Sequence, residues 1–372
     1  MVKPLALLVG AILRRQHHLR PQGTILVLKF QGGGSLVLAA PSLFGVRAAN
    51  PDCRMVLLTT TGLQPFARSL NLFDDVIALD DSKFVTLVMN FIVAFRKILF
   101  VDTVVDLEVY SRLTGVIALA TCARNRIGYF LDSTFWRRGL YTHLVFFNRY
   151  APVSFFYERL ALLLSGVPWP RIHVASVIQS QLSECRIDEL DCPYIAVGVG
   201  CSDLSFERRL SEEGWAHFLA LHLSGKNTPI VFLGSAADAD FVDQVLQKVK
   251  EVLPTNRCVS LAGCLSLLDS LYILGGAEHY LGIDSALLHY ARLFGIPSTS
   301  FWGPVSPTQM LAPWDDIEEE THYTRMPCSP CIHVTSTPPC RGDNICMKSL
   351  AGIGQVPVLP TWIEDAESWN IA

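Results

Sequence analysis

At 372 residues the chain is long enough for two domains. Half of it is hydrophobic and only 17% is charged, yet no apolar run reaches the roughly 18 residues a spanning helix needs. A net charge of −4 leaves no footprint for nucleic acid, and eleven cysteines scattered over so long a chain do not make a secreted disulfide scaffold.

The first element is an apolar run of ten, residues 4–13, with Lys3 before it and Arg14, Arg15, His17, His18 and Arg20 after it. Basic residues behind the run, without a small-residue cleavage site, oppose export. Two readings stay open for residues 1–20: a helix lying in a membrane surface, or one packed on the protein's own core.

From Thr24 strands and helices alternate. Strands are expected at 25–30, 54–59, 75–79 and 103–107, and helices at 36–49, 62–70, 84–99 and 111–122. The helix over 84–99 is apolar on all sides, as a buried or lipid-dipped helix is, and ends in Arg96 and Lys97. "FWRRGLY" (135–141) and "FFNRY" (146–150) repeat that aromatic and basic mixture. Residues 129–190 are less regular, with a helix at 154–164. The alternation then restarts, with strands at 194–199, 230–233, 258–260, 279–282 and 298–301. Helices fall between them at 212–223, 239–250, 265–275 and 287–294. The pattern predicts α/β architecture: two Rossmann-like domains with parallel sheets facing a cleft. Their expected extents are 21–185 and 186–372, with ligands at the carboxyl ends of the strands.

Three stretches carry chemistry. "KFQGGGSLVLAAP" (29–41) puts glycines, Gly33 and Gly34 among them, between a strand and a helix, where backbone can approach a ligand. "GIDSALLHYARLFG" (282–295) opens a helix after Asp284 and Ser285. Its free N–H groups suit a phosphate, and His289 lies one turn beyond Ser285. Asp284 can accept from sugar hydroxyls, or it can simply cap the helix. Cys328, Cys331, Cys340 and Cys346 have the spacing C-x2-C-x8-C-x5-C. That is compatible with structural zinc or with free thiols.

The order of these and several other segments resembles glycosyltransferase family 9, the ADP-heptose:lipopolysaccharide heptosyltransferases. "NLFDDVIALD", "VVDLEVYSRLTGVIALATCARNRIGY", "ERRLSEEGWAHFLALHL", "VFLGSAADADF" and "VSLAGCLSLLDSLYIL" follow one another as that family's segments do, over roughly 24–350. The resemblance implies a GT-B fold and metal-independent, inverting sugar transfer. The donor would be a nucleotide sugar resembling ADP-heptose, and the acceptor a lipid-linked saccharide at the cytoplasmic face of a bacterial inner membrane. Carried over by position, Asp284, Ser285, Ala286 and His289 would hold the donor's sugar and diphosphate. Arg208 would stand where the family has a phosphate-binding lysine, and Asp238 where it has a glutamate for the ribose. Gly263 would border the adenine.

The family's loop ends in Gly-Asp, the aspartate being its general base; here the pair is Gly34–Ser35. A serine hydroxyl cannot take a proton at neutral pH unaided. Either another carboxylate serves, or the chain is an inactive binding or scaffolding protein on the same fold. Glu108, at the rim beyond Asp106 and expected to share its strand face, is the candidate base, unless it pairs with Arg112. A nicotinamide-dependent oxidoreductase is disfavoured, because "GGGSLV" lacks the G-x-G-x-x-G spacing.

Overall fold

The structure, a computed structural model, describes residues 19–350 apart from 81, 186, 188–192, 202–205, 333–334, 336–337, 339 and 341–342, together with Pro4 and Leu8. The expected surface helix over 1–20 therefore lies almost wholly outside the described residues. Contacts divide the chain into two units, Met1–Gln181 and Leu182–Ala372.

In the first unit the elements run β1 (Thr24–Leu28), α1 (Gly33–Ala49), β2 (Arg54–Thr60), α2 (Gln64–Ser69), β3 (Asp75–Leu79) and α3 (Phe84–Ile98). Then come β4 (Thr103–Asp106), α4 (Arg112–Ala120), β5 (Asn125–Phe130), β6 (His143–Phe146), α5 (Val153–Leu163) and α6 (Arg171–Gln179). All six strands are parallel, in the order β3-β2-β1-β4-β5-β6. Residues alternate between the two faces of the sheet. Leu26, Leu28, Val56, Leu58 and Val104 pack with Ala94 and Ile98 of α3 and Ile117 and Ala118 of α4.

The second unit contains β7 (Ile195–Gly198), α7 (Glu212–His222), β8 (Ile230–Phe232), α8 (Ala239–Val252), β9 (Cys258–Ser260), α9 (Leu267–Gly275), β10 (His279–Ile283) and α10 (Ala286–Phe294). It closes with β11 (Ser298–Trp302), α11 (Pro307–Met310), β12 (Glu319–Tyr323) and α12 (Ile345–Leu350). Its order, β12-β11-β10-β7-β8-β9, is the same winding read from the other edge, again all parallel. Its core gathers on the fully buried Trp215, which meets Phe301 edge-on with ring centroids 5.4 Å apart.

Each sheet thus has one point where the strand order reverses: between β1 and β4, and between β7 and β10. In open parallel sheets the crevice beyond the strand ends at such a point is where ligands bind. Strands β5, β6 and β12 fall outside the sequence expectations. β5 carries Arg126, which is buried because its guanidinium bonds the carbonyls of Leu140 (2.7 Å) and Ala123 (2.6 Å).

Candidate functional site

In the first unit, β1 leads into Lys29. The chain then turns through Gly32, whose φ of 79° lies in the left-handed region, and enters α1 at Gly33. Ser35 Oγ donates to the Gly32 carbonyl at 2.8 Å, closing this turn, so the serine first serves local geometry. A Cβ on Gly33 would lie 2.8 Å from the Phe66 ring. Close packing on Phe66 is thus a second use for that glycine, beside the approach of a ligand read from the sequence. Gly34 follows it inside the first turn of α1, which carries no acidic residue and leaves N–H groups able to meet an anion.

Strand β4 stops at Asp106, and the chain bends at once, the Glu108 N–H donating to Asp106 Oδ1 at 2.9 Å. The two carboxylates therefore do not share a strand face, as the sequence had suggested; the bend sends them to different partners. Asp106 is fully buried and bonded to Arg137, Tyr141 and Thr114, the last at 2.8 Å. Burial drives its carboxyl above the ordinary value, an effect that Arg137 and Tyr141 offset only in part. Arg137 also bonds the Glu108 and Val109 carbonyls. "FWRRGLY" is thus partly interior: Arg137 and Tyr141 are core groups.

Glu108 turns toward β1. Its Oε1 accepts from Lys29 Nζ at 3.0 Å and from the Phe30 and Gln31 N–H groups at 2.8 and 3.0 Å. The partner is Lys29; Arg112 is exposed. Burial acts to raise the Glu108 carboxyl, but Lys29 and the two amides outweigh it and leave it below the usual range. Burial likewise lowers the Lys29 amine, and Glu108 outweighs that too, leaving it above its ordinary value. The buried Tyr157 completes the group, since its hydroxyl feels Lys29, Glu108 and the Ser35 side chain. An ionised carboxylate and a cation therefore stand at the reversal between β1 and β4. Sequence reasoning missed Lys29, Arg137 and Tyr157. Of these only Lys29, the sole charge closing an apolar strand, left a local signal.

The second unit repeats the arrangement at its own reversal. β10 ends at Ile283, and Asp284 and Ser285 lead into α10, which begins at Ala286. Arg208 Nη1 donates to the Asp284 carbonyl at 2.9 Å and to its Oδ2 at 3.2 Å. His289 Nε2 lies 3.5 Å from Asp284 Oδ1. Burial raises the Asp284 carboxyl, and His289 and Arg208 together more than reverse this, so it stays ionised well into acid. Ser285 makes no capping bond. Its hydroxyl engages the buried Tyr280 phenol, while His289 Nδ1 is buried without a hydrogen-bond partner among the described residues, as a group waiting for a polar ligand would be. The first amides of α10 point the same way, with the helix dipole behind them. Arg208, Asp284, Ser285, Ala286 and His289 are thus brought together.

Two other expected residues have structural employment. Both Asp238 oxygens are engaged: Oδ1 accepts from Arg209 (3.0 Å), and Oδ2 from the Ser235 N–H (3.1 Å) and hydroxyl (2.6 Å). Gly263 has φ 74°, and a Cβ there would meet Ala236 Cα at 2.9 Å, so the turn itself demands glycine. The cysteines gather near Gly303, where an added Cβ would lie 2.6 Å from Cys346 Sγ. Burial, then repulsion from the neighbouring thiols, pushes Cys331 up to about 11 and Cys346 up to about 12. Among the described residues no three His, Cys, Asp or Glu side chains are arranged to hold a metal ion. Cys328, Cys331, Cys340 and Cys346 all stand as free cysteines, the second of the two readings their spacing allowed.

Comparison with known proteins gives these sites a context. Residues 157–340 match the model of glycosyltransferase family 9 (heptosyltransferase). Lipooligosaccharide heptosyltransferase 2 of Haemophilus influenzae is 29% identical over 106 residues, which are 27% of this chain and 30% of that protein's length. Among solved structures, the glycosyl transferase family 9 protein of Veillonella parvula aligns with a TM-score of 0.61 at 18% identity. It covers 83% of this chain and 87% of its own. The ADP-heptose lps heptosyltransferase II of E. coli aligns at 0.60 and 17%, covering 88% and 98%. E. coli heptosyltransferase WaaC with ADP-2-deoxy-2-fluoro heptose aligns at 0.62 and 14%, covering 81% and 93%. At such identities the structural likeness speaks for the fold.

Proposed function

Because residues 157–340 of this chain match the model of glycosyltransferase family 9 (heptosyltransferase), we propose that it moves a sugar from a nucleotide-diphosphate donor to a saccharide acceptor. The observation that carries the proposal is the Arg208–Asp284–His289 group at the start of α10, with His289 Nδ1 unpartnered among the described residues. A forked guanidinium, helix-start amides and an imidazole are groups that suit a diphosphate, while the ionised Asp284 suits sugar hydroxyls. The donor is read as resembling ADP-heptose, since the solved relative WaaC was captured with an ADP-sugar of that kind. The acceptor is read as a lipid-linked saccharide, transfer as inverting, and the place of work as the cytoplasmic face of a bacterial inner membrane. No metal is assigned to the chemistry.

Glu108 is proposed as the group that takes the acceptor proton, with Ser35 positioning its loop. A base held below its ordinary pKa is a weaker one. Its contribution should therefore fall toward the lower end of the usual 10²–10⁴-fold, unless the acceptor draws Lys29 away. That same ion pair favours a second reading, in which Glu108 only ties the strand ends together and the protein binds its ligands without turnover.

Calorimetry with ADP tests the donor site. Arg208→Ala and His289→Ala should each weaken binding about tenfold or more, as loss of a charge-assisted hydrogen bond does. Equal affinities in wild type and both variants would remove the assignment.

A further inference from the structure

We propose that Tyr280 is a positioning residue of the donor site. Its phenol holds the Ser285 hydroxyl off the helix that follows, so that the serine proton and the first amides of α10 are left to the donor's diphosphate. This role rests on a diphosphate being bound at the start of α10.

Strands β7 and β10 supply the room for the ring. Tyr280 and Gly282 are two apart on β10 and share one face of the sheet. Gly198 of β7 is the register partner of Gly282. A Cβ on Gly198 would lie 3.1 Å from Tyr280 Cζ and closer still to its hydroxyl, and one on Gly282 would lie 2.5 Å from Cζ. Neither glycine has a positive φ, so the ring and not the backbone excludes a side chain at both places. The ring therefore runs along the strand over the two glycines. Its hydroxyl is carried toward the carboxyl end, where Asp284 and Ser285 lead into α10.

Tyr280 is fully buried, and a buried phenol needs a hydrogen-bond partner. It engages the Ser285 hydroxyl, and neither oxygen has another partner among the described residues. Burial raises the phenol above its ordinary value, which the Ser285 bond offsets only in part, so it stays protonated. Its single proton goes to Ser285 Oγ, which turns the serine's own proton outward. The consequence shows in the capping. Ser111, Ser211 and Ser266 stand at the N-caps of α4, α7 and α9, and their side chains accept from the N–H groups of Thr114, Gly214 and Asp269. Ser285 stands at the N-cap of α10 and its side chain accepts from none. A serine that capped its own helix would occupy an amide that a diphosphate oxygen can use. His289, one turn into α10 and 2% exposed, leaves Nδ1 without a partner among the described residues, a further group open to the ligand.

Calorimetry of the full chain with ADP, beside thermal unfolding of the same proteins, is the test. Tyr280→Phe keeps the ring and removes the hydroxyl. It should weaken ADP binding roughly three- to tenfold, Ser285→Ala by a similar factor, and the double variant no more than the weaker-binding single. The thermal midpoint of Tyr280→Phe should not fall below that of wild type, since the released serine can cap α10. Wild-type affinity in Tyr280→Phe, or losses that add in the double variant, would overturn the proposal. So would an affinity loss that comes with a lowered midpoint, which would make Tyr280 a packing residue only. Arg208→Ala separates this role from the donor reading. If that variant binds ADP as tightly as wild type, or wild type does not bind ADP, both fall. If Arg208→Ala is weakened while Tyr280→Phe is not, only the role of Tyr280 falls.

Discussion

Removing Lys29 is the most informative perturbation of the first unit. The side chains of Lys29 and Glu108 are 6% and 13% exposed and 3.0 Å apart, so Lys29→Met leaves a carboxylate with two amide donors and no counter-charge. Breaking a buried pair from one side typically costs about 3–5 kcal/mol, while replacing both members with neutral groups of similar shape costs much less. Lys29→Met should therefore lose about 3 kcal/mol near pH 7, and Lys29→Met with Glu108→Gln should recover most of it. The pH dependence gives an independent sign. In the wild type the Glu108 carboxyl sits below its unfolded value, so its stabilisation is present above pH ~4.5 and disappears as pH falls through the folded value. Without Lys29 burial dominates and the folded pKa moves above the unfolded one, so the variant should lose stability as pH rises from about 4.5. Urea unfolding of four proteins, wild type, both single variants and the double, at pH 4.5 and 7 measures all of this. Additive single effects, with coupling under about 0.5 kcal/mol, would refute the idea that these groups form one unit.

Gly33→Ala should destabilise by about 1–3 kcal/mol through the clash with Phe66, and Phe66→Leu should relieve part of it. Both values come from chemical denaturation, and a Gly33→Ala protein as stable as wild type would return the glycine to a ligand role. In the second unit, His279 is lowered to about 4 by burial, then by His222 and Lys226. A histidine neutral in the fold loses stability as pH drops below the unfolded value near 6.5, and by pH 4 the loss should approach no more than about 3 kcal/mol. His279→Gln should flatten the stability profile between those limits, and an unaltered slope would show that the imidazole is not the group responsible.

How far the sequence discloses the molecule depends on the range of the interactions concerned. The glycine turn before α1 and the Asp284–Ser285 start of α10 are written in neighbouring residues, and both were legible. Strand β12, "EETHY", is not: its exposed, acid-rich pattern reads as loop, and only the parallel ladder to β11 and the bond from Arg292 to Glu319 make it a strand. Asp238 shows the opposite case. "SAAD" (235–238) is a capping-box pattern, so its structural use by Ser235 was readable, whereas the pairing with Arg209 was not. Glu108 was singled out by its place at a strand end. The bend that Asp106 imposes on it, and the lysine 79 residues away, belong to tertiary structure.

The central claim is sugar transfer from a nucleotide-diphosphate donor held at Asp284. The direct measurement is ADP release and product mass when the purified protein meets ADP-heptose and the lipid-saccharide fraction of its native host. The account expects ADP and a heptose-extended glycolipid to appear together, at rates lowered at least tenfold by Arg208→Ala and about a hundredfold by Glu108→Gln. Tight ADP-heptose binding with no ADP released and no glycolipid gaining mass would contradict it.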